Sequence, residues 1–204
     1  MAMRKTEKPA AFTQAALQAE RRGAILRQAA AAFNRQGFAN TSMDDVAREL
    51  AITKPTLYRY FPSKHAILLA CHQLAMSYAE RAMAAADAGG GPGLDRALAF
   101  ARENLRGLLG ELGTFPVILE VDSLLPEDRR QVKARRDRIS AWFRATLAAG
   151  MQDGSIRRGD PALVALFCFG VFNWVPVWYR AGGPSTPDEI VASYLELLRR
   201  ALAG

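Results

Sequence analysis

Apolar residues recur along this chain at intervals of three and four, segment after segment, which predicts an all-α protein. Over residues 19–36 they fall at Ile25, Ala29, Ala32 and Phe33, and Gly37 ends the helix so that Phe38 turns back onto Phe33. Two short helices are expected over 43–50 and 53–61. A longer one over 63–86 has Ile67, Leu68, Cys71, Leu74, Ala75 and Tyr78 as its apolar positions. Residues 87–93, Asp-Ala-Gly-Gly-Gly-Pro-Gly, predict a flexible connection that no regular element crosses. Beyond it Leu94, Ala97, Leu98, Ala101, Leu105, Leu108, Leu109 and Leu112 mark another helix, Gly113 and Pro116 a break, and residues 117–123 a short helix. Residues 127–151 read as a long amphipathic helix with Val132, Ile139, Trp142, Phe143 and Leu147 facing in. Residues 162–179 are apolar nearly all round, and 187–202 carry Ile190, Tyr194, Leu197, Leu198 and Ala201 as a last stripe.

The short pair carries the most information. Ser42 can accept a hydrogen bond from the Asp45 backbone N–H, and the Asp45 carboxylate can reach back to the Ser42 N–H. Thr53 repeats the capping role, with Pro55 in the first turn, where no intrahelical bond is lost. Residues 51–53 connect the two helices, a length that sets them at a steep angle. Met43, Val46, Ala47 and Leu50 on the first helix and Leu57 and Phe61 on the second form one buried seam. Lys54, Pro55, Thr56, Tyr58 and Arg59 are left outside, with Tyr60 at the flank. An ammonium, a hydroxyl, a phenol and a guanidinium on one helical face suit a major groove, where base edges and phosphates are both in reach. The same pattern also fits a plain helical hairpin with Tyr58 and Tyr60 packed inside, and periodicity leaves both open.

Charge changes that picture. The chain has 204 residues and a net charge of +7, with half its residues apolar, enough for one substantial core or two small domains. Residues 1–65 hold 11 Lys and Arg against 5 Asp and Glu, a balance of +6, while the remainder holds 16 against 15. That is the footprint of a nucleic-acid-binding segment joined to a neutral one, although a solvated basic face has the same balance. Residues 1–12 read as a disordered basic arm in which Arg4, Lys5 and Lys8 either add phosphate contacts or do nothing. Cys71 and Cys168, without a secretory pattern, point to a reducing cytoplasm, and their apolar surroundings keep both thiols inert. No catalytic constellation is present, and no metal or cofactor is expected. His65 and His72 share a helix without a metal-spaced partner, and the glycine run lacks the Lys and Ser/Thr of a phosphate loop.

Taken together, these residues resemble the DNA-binding domain of TetR-family transcriptional regulators. The likeness runs through Ala31-Ala32-Phe33, Gly37-Phe38, Thr41-Ser42-Met43, Asp45-Val46-Ala47, Thr53-Lys54-Pro55-Thr56-Leu57-Tyr58, Tyr60-Phe61 and Ser63-Lys64, about a quarter of the chain. It implies that the second helix of the pair reads the major groove through Lys54, Pro55, Thr56, Tyr58 and Tyr60, with Thr53 and Arg59 in the same DNA-binding set. It also implies phosphate contacts from Lys64 and, at a helix N-terminus, from Thr41 and Ser42. Two positions depart from the family's pattern. Ala51 stands where glycine is usual, at a cost of about 1 kcal/mol or more if its φ is positive. His65 stands where an acid is common. The expected division is a basic arm at 1–18, a helix-turn-helix domain at 19–65, a connecting helix at 66–86, and a ligand-binding and dimerisation domain at 87–204.

The segment 162–179 meets the length of a membrane span, but Gly170, Asn173 and Pro176 interrupt it and no second candidate exists. It is expected as a core helix covered partly by a second subunit. Paired with 187–202 it would form a four-helix dimer interface, as the family does, with Phe167, Val171, Tyr194, Leu197 and Leu198 as candidates. The expected function is a homodimeric, cytoplasmic repressor on a palindromic double-stranded DNA operator, released by a small hydrophobic effector. Phe100, Phe115, Trp142, Phe143, Phe167, Phe169, Phe172, Trp174 and Trp178 are the pool for its pocket, and core packing fits any one of them as well. Asn173-Trp174, Trp178-Tyr179-Arg180 and Gly182-Gly183 resemble a branch of the family that includes regulators of lipid and acyl-coenzyme A metabolism. An acyl-coenzyme A or a fatty acid is therefore expected, with any phosphates near the arginines of 127–151. A flat aromatic or cationic ligand, countered by Glu103, Glu111, Glu120 and Asp122, is the competitor. An architectural DNA-binding protein with no ligand is the alternative from another class.

Overall fold

A computed structural model describes residues 14–110 and 120–204. Eight α-helices follow one another among these residues: α1 (Gln14–Gln36), α2 (Met43–Glu49), α3 (Lys54–Tyr60), α4 (Lys64–Gly89), α5 (Gly93–Leu109), α6 (Pro126–Asp153), α7 (Pro161–Trp178) and α8 (Pro187–Leu202). A 3-10 turn at Val121–Ser123 precedes α6, and Ile156 forms an isolated bridge with Ala203. The arm at 1–12 with Arg4, Lys5 and Lys8 lies outside the described residues. So do Glu111, Leu112, Phe115, the break at Gly113 and Pro116, and the start of the helix expected over 117–123.

The first four helices close as their caps dictate. Gly37, at φ +80°, ends α1 and brings the Phe38 ring to 5.1 Å from Phe33. Ser42 and Asp45 form the reciprocal cap of α2, and Thr53 accepts from the Thr56 N–H at the start of α3. Val46, Leu57 and Phe61 are fully buried between α1, α2 and α3. Each such side chain contributes about 1.5–3 kcal/mol over its exposed state. Ala51 has φ +50°, so the turn does hold a Cβ in left-handed backbone. The hydrogen bond from Ile52 N to Ala47 O across that turn fixes it.

Two boundaries and one apolar stripe differ from the pattern. Helix α1 begins at Gln14, so residues 14–18 are helical rather than part of an arm. Helix α4 continues through Asp87 and Ala88 to Gly89, which shrinks the flexible connection to the two left-handed glycines Gly90 and Gly91 and to Pro92. The cause is tertiary: the Asp87 carboxylate accepts from Trp142 Nε1 at 3.0 Å and pairs with Arg96, which secures the last turn. Helix α8 buries Ile190, Val191, Leu198 and Leu202, while Leu197 is exposed, so its apolar residues make two stripes rather than one.

The core divides along α4. Ile67 to Tyr78 pack with α1, α2 and α3, and Ala79, Ala82 and Ala86 pack with α5 to α8. Helix α7 is long and apolar enough to cross a membrane. Its Ala165, Cys168, Phe172 and Val175 stripe lies instead in the second core, and Leu163, Leu166, Phe167 and Trp174 are left on the outside.

Candidate functional site

The outer face of α3 is assembled by the seam beneath it. With Leu57 and Phe61 inward, Thr53, Lys54, Pro55, Tyr58 and Arg59 are exposed, and Thr56 and Tyr60 are half-buried. Tyr58 is 42% exposed, so the hairpin does not pack it inside. Tyr60 lies under the Arg59 guanidinium, 5.5 Å from its ring centroid. Lys54 Nζ sits 2.7 Å from Asp44 Oδ1, and the hydrogen bond and charge of Asp44 raise its pKa.

Two expected phosphate contacts are placed otherwise. Thr41 is 1% exposed, and its hydroxyl donates to the Gly37 carbonyl at 2.8 Å, so it offers nothing outward in this conformation. Lys64 Nζ donates to the carbonyls of Phe38, Ala39 and Thr41 at 3.0, 3.1 and 3.2 Å and lies over the Phe38 ring. All three ammonium protons are thereby used. Lys64 ties the first turn of α4 to the loop that launches α2. Ser42 is exposed and engaged in its cap.

A cavity of about 260 Å³ lies between α4, α5, α6 and α7, its α4 wall beginning about two turns after Lys64. His72, Ala75, Met76 and Ala79 of α4 form one wall, and Phe100, Leu108, Ile139 and Phe169 add apolar surface. Asn104, Arg136, Asp137, Ser140 and Asn173 give it polar surface, and the exposed Leu166 and Asp137 mark its mouth. Of the aromatic pool, Phe100 and Phe169 line it. Phe143 and Phe172 pack around Phe100 as core, with centroids 5.0 and 6.1 Å away. Trp142 is spent on Asp87, and Phe167, Trp174 and Trp178 face outward. Phe115 lies outside the described residues.

The charged expectations are also redistributed. Glu103 pairs with Arg106, and neither it nor Glu120 nor Asp122 lines the cavity. Of the arginines on α6, Arg135 makes a bidentate pair with Glu80 of α4, at 2.8 and 2.7 Å, and Arg129 bonds carbonyls of the preceding turn. Arg136 is the one that reaches the cavity. His72 is buried, and its Nε2 has no partner among the described residues. Its sequence context offers only a metal-ligand role, which is why periodicity does not point to it here. Burial, reinforced by the Arg136 charge, pushes its pKa down to about 4. Burial also raises the Cys71 thiol, and pushes Cys168 up to about 12, as inert thiols require.

A neutral buried His72 fixes a sign. The folded form resists a proton that the unfolded chain accepts near 6.5, so its contribution is complete above that pH and is lost as pH falls toward about 4. Urea unfolding should lose about 2 kcal/mol between pH 7 and pH 5. The His72→Gln variant should show a correspondingly smaller loss, and equal losses would remove His72 as the cause.

Known proteins share both the α3 unit and the helices around the cavity. Residues 25–71 match the family model described as bacterial regulatory proteins, tetR family, and residues 90–202 match the tetracyclin repressor-like C-terminal domain. The TetR-family regulator PfmR from Thermus thermophilus superposes with a TM-score of 0.73 at 31% identity, over 88% of this chain and 99% of that one. AibR, solved in complex with isovaleryl coenzyme A and operator DNA, superposes with a TM-score of 0.69 at 25% identity, over 87% of this chain and 97% of that one. The transcriptional regulator EthR of Mycolicibacterium smegmatis is 46% identical over 50 residues, 24% of this chain and 23% of that protein. The chain belongs to the TetR family of DNA-binding transcriptional regulators, a family of regulators rather than enzymes.

Proposed function

We propose that this chain is a homodimeric repressor that leaves a palindromic operator when a small molecule fills the cavity between α4, α5, α6 and α7. One observation carries the reading: α4 holds the α1–α2 loop through Lys64 at one end and lines the cavity with His72, Ala75, Met76 and Ala79 further along. A ligand that fixes those four residues fixes the angle at which α3 is presented. Two such helices must sit about 34 Å apart to read one face of DNA, so a change in that angle is a change in fit. A preference of a few kcal/mol for the misfitting state empties the operator. The cavity is smaller than the roughly 300–1,000 Å³ that holds drug-sized ligands, so the apolar part of the effector is short. The isovaleryl coenzyme A bound by AibR is a precedent for an acyl group of that size.

On DNA, Tyr58, Lys54 and Arg59 are the base-reading and phosphate-reading side chains of α3, and Lys64 positions rather than contacts. Lys54 exchanges Asp44 for DNA. Footprinting should give one protected palindrome, released by effector. A uniform, salt-sensitive smear would instead support an architectural protein without a ligand. Tyr58→Ala should weaken operator binding by about 1–3 kcal/mol with helix content and dimer unchanged. Parent-like affinity for this variant, measured by fluorescence anisotropy, would move the reading face off α3.

A further inference from the structure

The polar groups of the cavity fall in order along its helices. Phe100, Phe143 and Phe169 pack ring on ring, with Phe143 centred 5.0 Å from Phe100 and 5.3 Å from Phe169, and so mark one level of α5, α6 and α7. Helix α6 runs against α5, since Gly150 meets Gly93 as Phe143 meets Phe100, and α7 turns back after the short connection 154–160. One helical turn from those rings, in the same direction, come Asn104 on α5, Ser140 on α6 and Asn173 on α7, and all three line the cavity. Arg136 lines it a further turn along α6. The lining thus passes from aromatic rings through two carboxamides and a hydroxyl to a guanidinium. Asn104 is 7% exposed, and its amide has no hydrogen-bond partner among the described residues. The unpaired buried atoms that are sealed from solvent belong to His72 and Arg129, so the Asn104 amide is open, and the space it opens on is the cavity. The half-buried side chains of Ser140, Asn173 and Arg136 likewise make no hydrogen bond or ion pair among the described residues. Groups left open in this way are met by water or by a polar ligand.

From this order we infer that the cavity selects a short N-acyl amino acid, its carboxylate on Arg136, its amide among Asn104, Ser140 and Asn173, and its alkyl end against Phe100 and Phe169. Each carboxamide offers a donor and an acceptor, as an amide requires, whereas a plain alkyl chain strips water from them and returns nothing. A guanidinium without an ion pair favours an anion at the far end. Asp137 also lines the cavity, but it is exposed at the mouth, where water and salt screen it. A volume of about 260 Å³ holds about nine non-hydrogen atoms at roughly 30 Å³ each, the size of N-propionylglycine. The inference rests on the reading of this cavity as the effector site and adds the chemistry of its ligand.

Isothermal titration of the full chain with N-propionylglycine, hexanoate, N-ethylpropanamide and isovaleryl-coenzyme A tests it. Hexanoate matches the acylglycine in chain length without the amide, and N-ethylpropanamide keeps the amide without the carboxylate. N-propionylglycine should bind about tenfold more tightly than either analogue. Asn104→Leu should bring its affinity down to that of hexanoate, with hexanoate bound no more weakly than before. Arg136→Gln should weaken both acids about tenfold and leave the neutral amide unchanged. A purely structural Asn104 is separated by melting the free protein: an amide without a protein partner is replaced by leucine at no loss of melting temperature, and a lower one would show the amide already engaged inside. That result, equal binding of N-propionylglycine and hexanoate by the parent protein, or tighter binding of isovaleryl-coenzyme A would each overturn the assignment. Operator release, followed separately, keeps the two readings apart. An acylglycine that binds without changing DNA affinity removes the effector role and leaves the ligand assignment. Release by isovaleryl-coenzyme A alone removes the ligand assignment and leaves the effector role.

Discussion

Phe167→Arg is expected to yield a folded monomer that no longer holds an operator. Phe167 is 55% exposed on α7, and Leu166 and Trp174 beside it are more exposed still, at 68% and 60%. Leu197 of α8 is exposed as well, so large apolar side chains of both helices stand in water unless a second subunit covers them. A groove between Phe167, Val171, Trp174 and Tyr194 is shaped to take side chains, and Gly170 in its floor has open space above it. In the two-fold dimer proposed above, this face would meet its own copy, so one substitution would enter the interface twice. An arginine there is solvated in the monomer but buried without a partner in the dimer. Stranding one such charge costs about 3–5 kcal/mol, so the dissociation constant should rise by at least about two orders of magnitude. Operator affinity then falls because each monomer offers a single recognition helix. Sedimentation decides it, and an unchanged dimer would place the interface elsewhere. Leu198→Arg is a different experiment from the one its sequence stripe implies: Leu198 is 4% exposed within its own subunit, so that variant should unfold rather than dissociate.

The difference between Leu197 and Leu198 shows where sequence reading stops. Helical periodicity told that α8 has an apolar side, but two neighbouring stripes, one for α5 and one for the outside, share the same spacing. The helix-turn-helix unit was legible because its signals are local. Ser42 with Asp45, Thr53 with Pro55, and Gly37 with Phe38 each act within a few residues, and each is seen where the spacing put it. The end of α4 was illegible for the opposite reason. Asp87 reads as the start of a glycine-rich break, and only partners beyond that break, Arg96 and, 55 residues on, Trp142, hold it in the helix.

The site divides in the same way. The outward face of α3 follows from its own periodicity, and Tyr58 lies on it. Lys64 and Thr41 carry the right residue types, yet carbonyls contributed by the loop between α1 and α2 take up their donors. Aromatics are conspicuous in sequence and so dominate any search for a cavity, but rings fill space so well that most became core or outer surface. What gives the cavity its polar character is a set of modest residues, His72, Asn104, Arg136 and Asn173, drawn from four helices that only the fold brings together.

Gly93→Ala is expected to be among the most destabilising single-methyl additions in the protein, at about 3 kcal/mol or more. Helix α5 has no side-chain cap of its own, since Pro92 precedes it. The cap comes from the turn after α6, where Asp153 Oδ2 accepts from Gly93 N at 2.8 Å and Ser155 Oγ accepts from Leu94 N at 3.1 Å. Those bonds bring the two backbones so close that a Cβ at residue 93 would lie 2.3 Å from Gly150 N and 2.4 Å from Gly150 Cα. Backbone on both sides cannot yield as a side chain does, so relief requires α5 to leave its cap and the groups on Ser155 and Asp153 to lose their partners. The same contacts hold the Asp153 carboxyl below its ordinary range, its Ser155 hydrogen bond first and the Gly93 N–H next. Melting should fall by about 6–12 °C for a chain of this size. Gly89→Ala is the control: it lies in the last turn of α4 with nothing within 4 Å of its added Cβ, and it should be neutral or stabilising by up to about 1 kcal/mol. A Gly93→Ala protein that melts with the parent would mean that α5 and α6 do not approach in solution as closely as this cap requires.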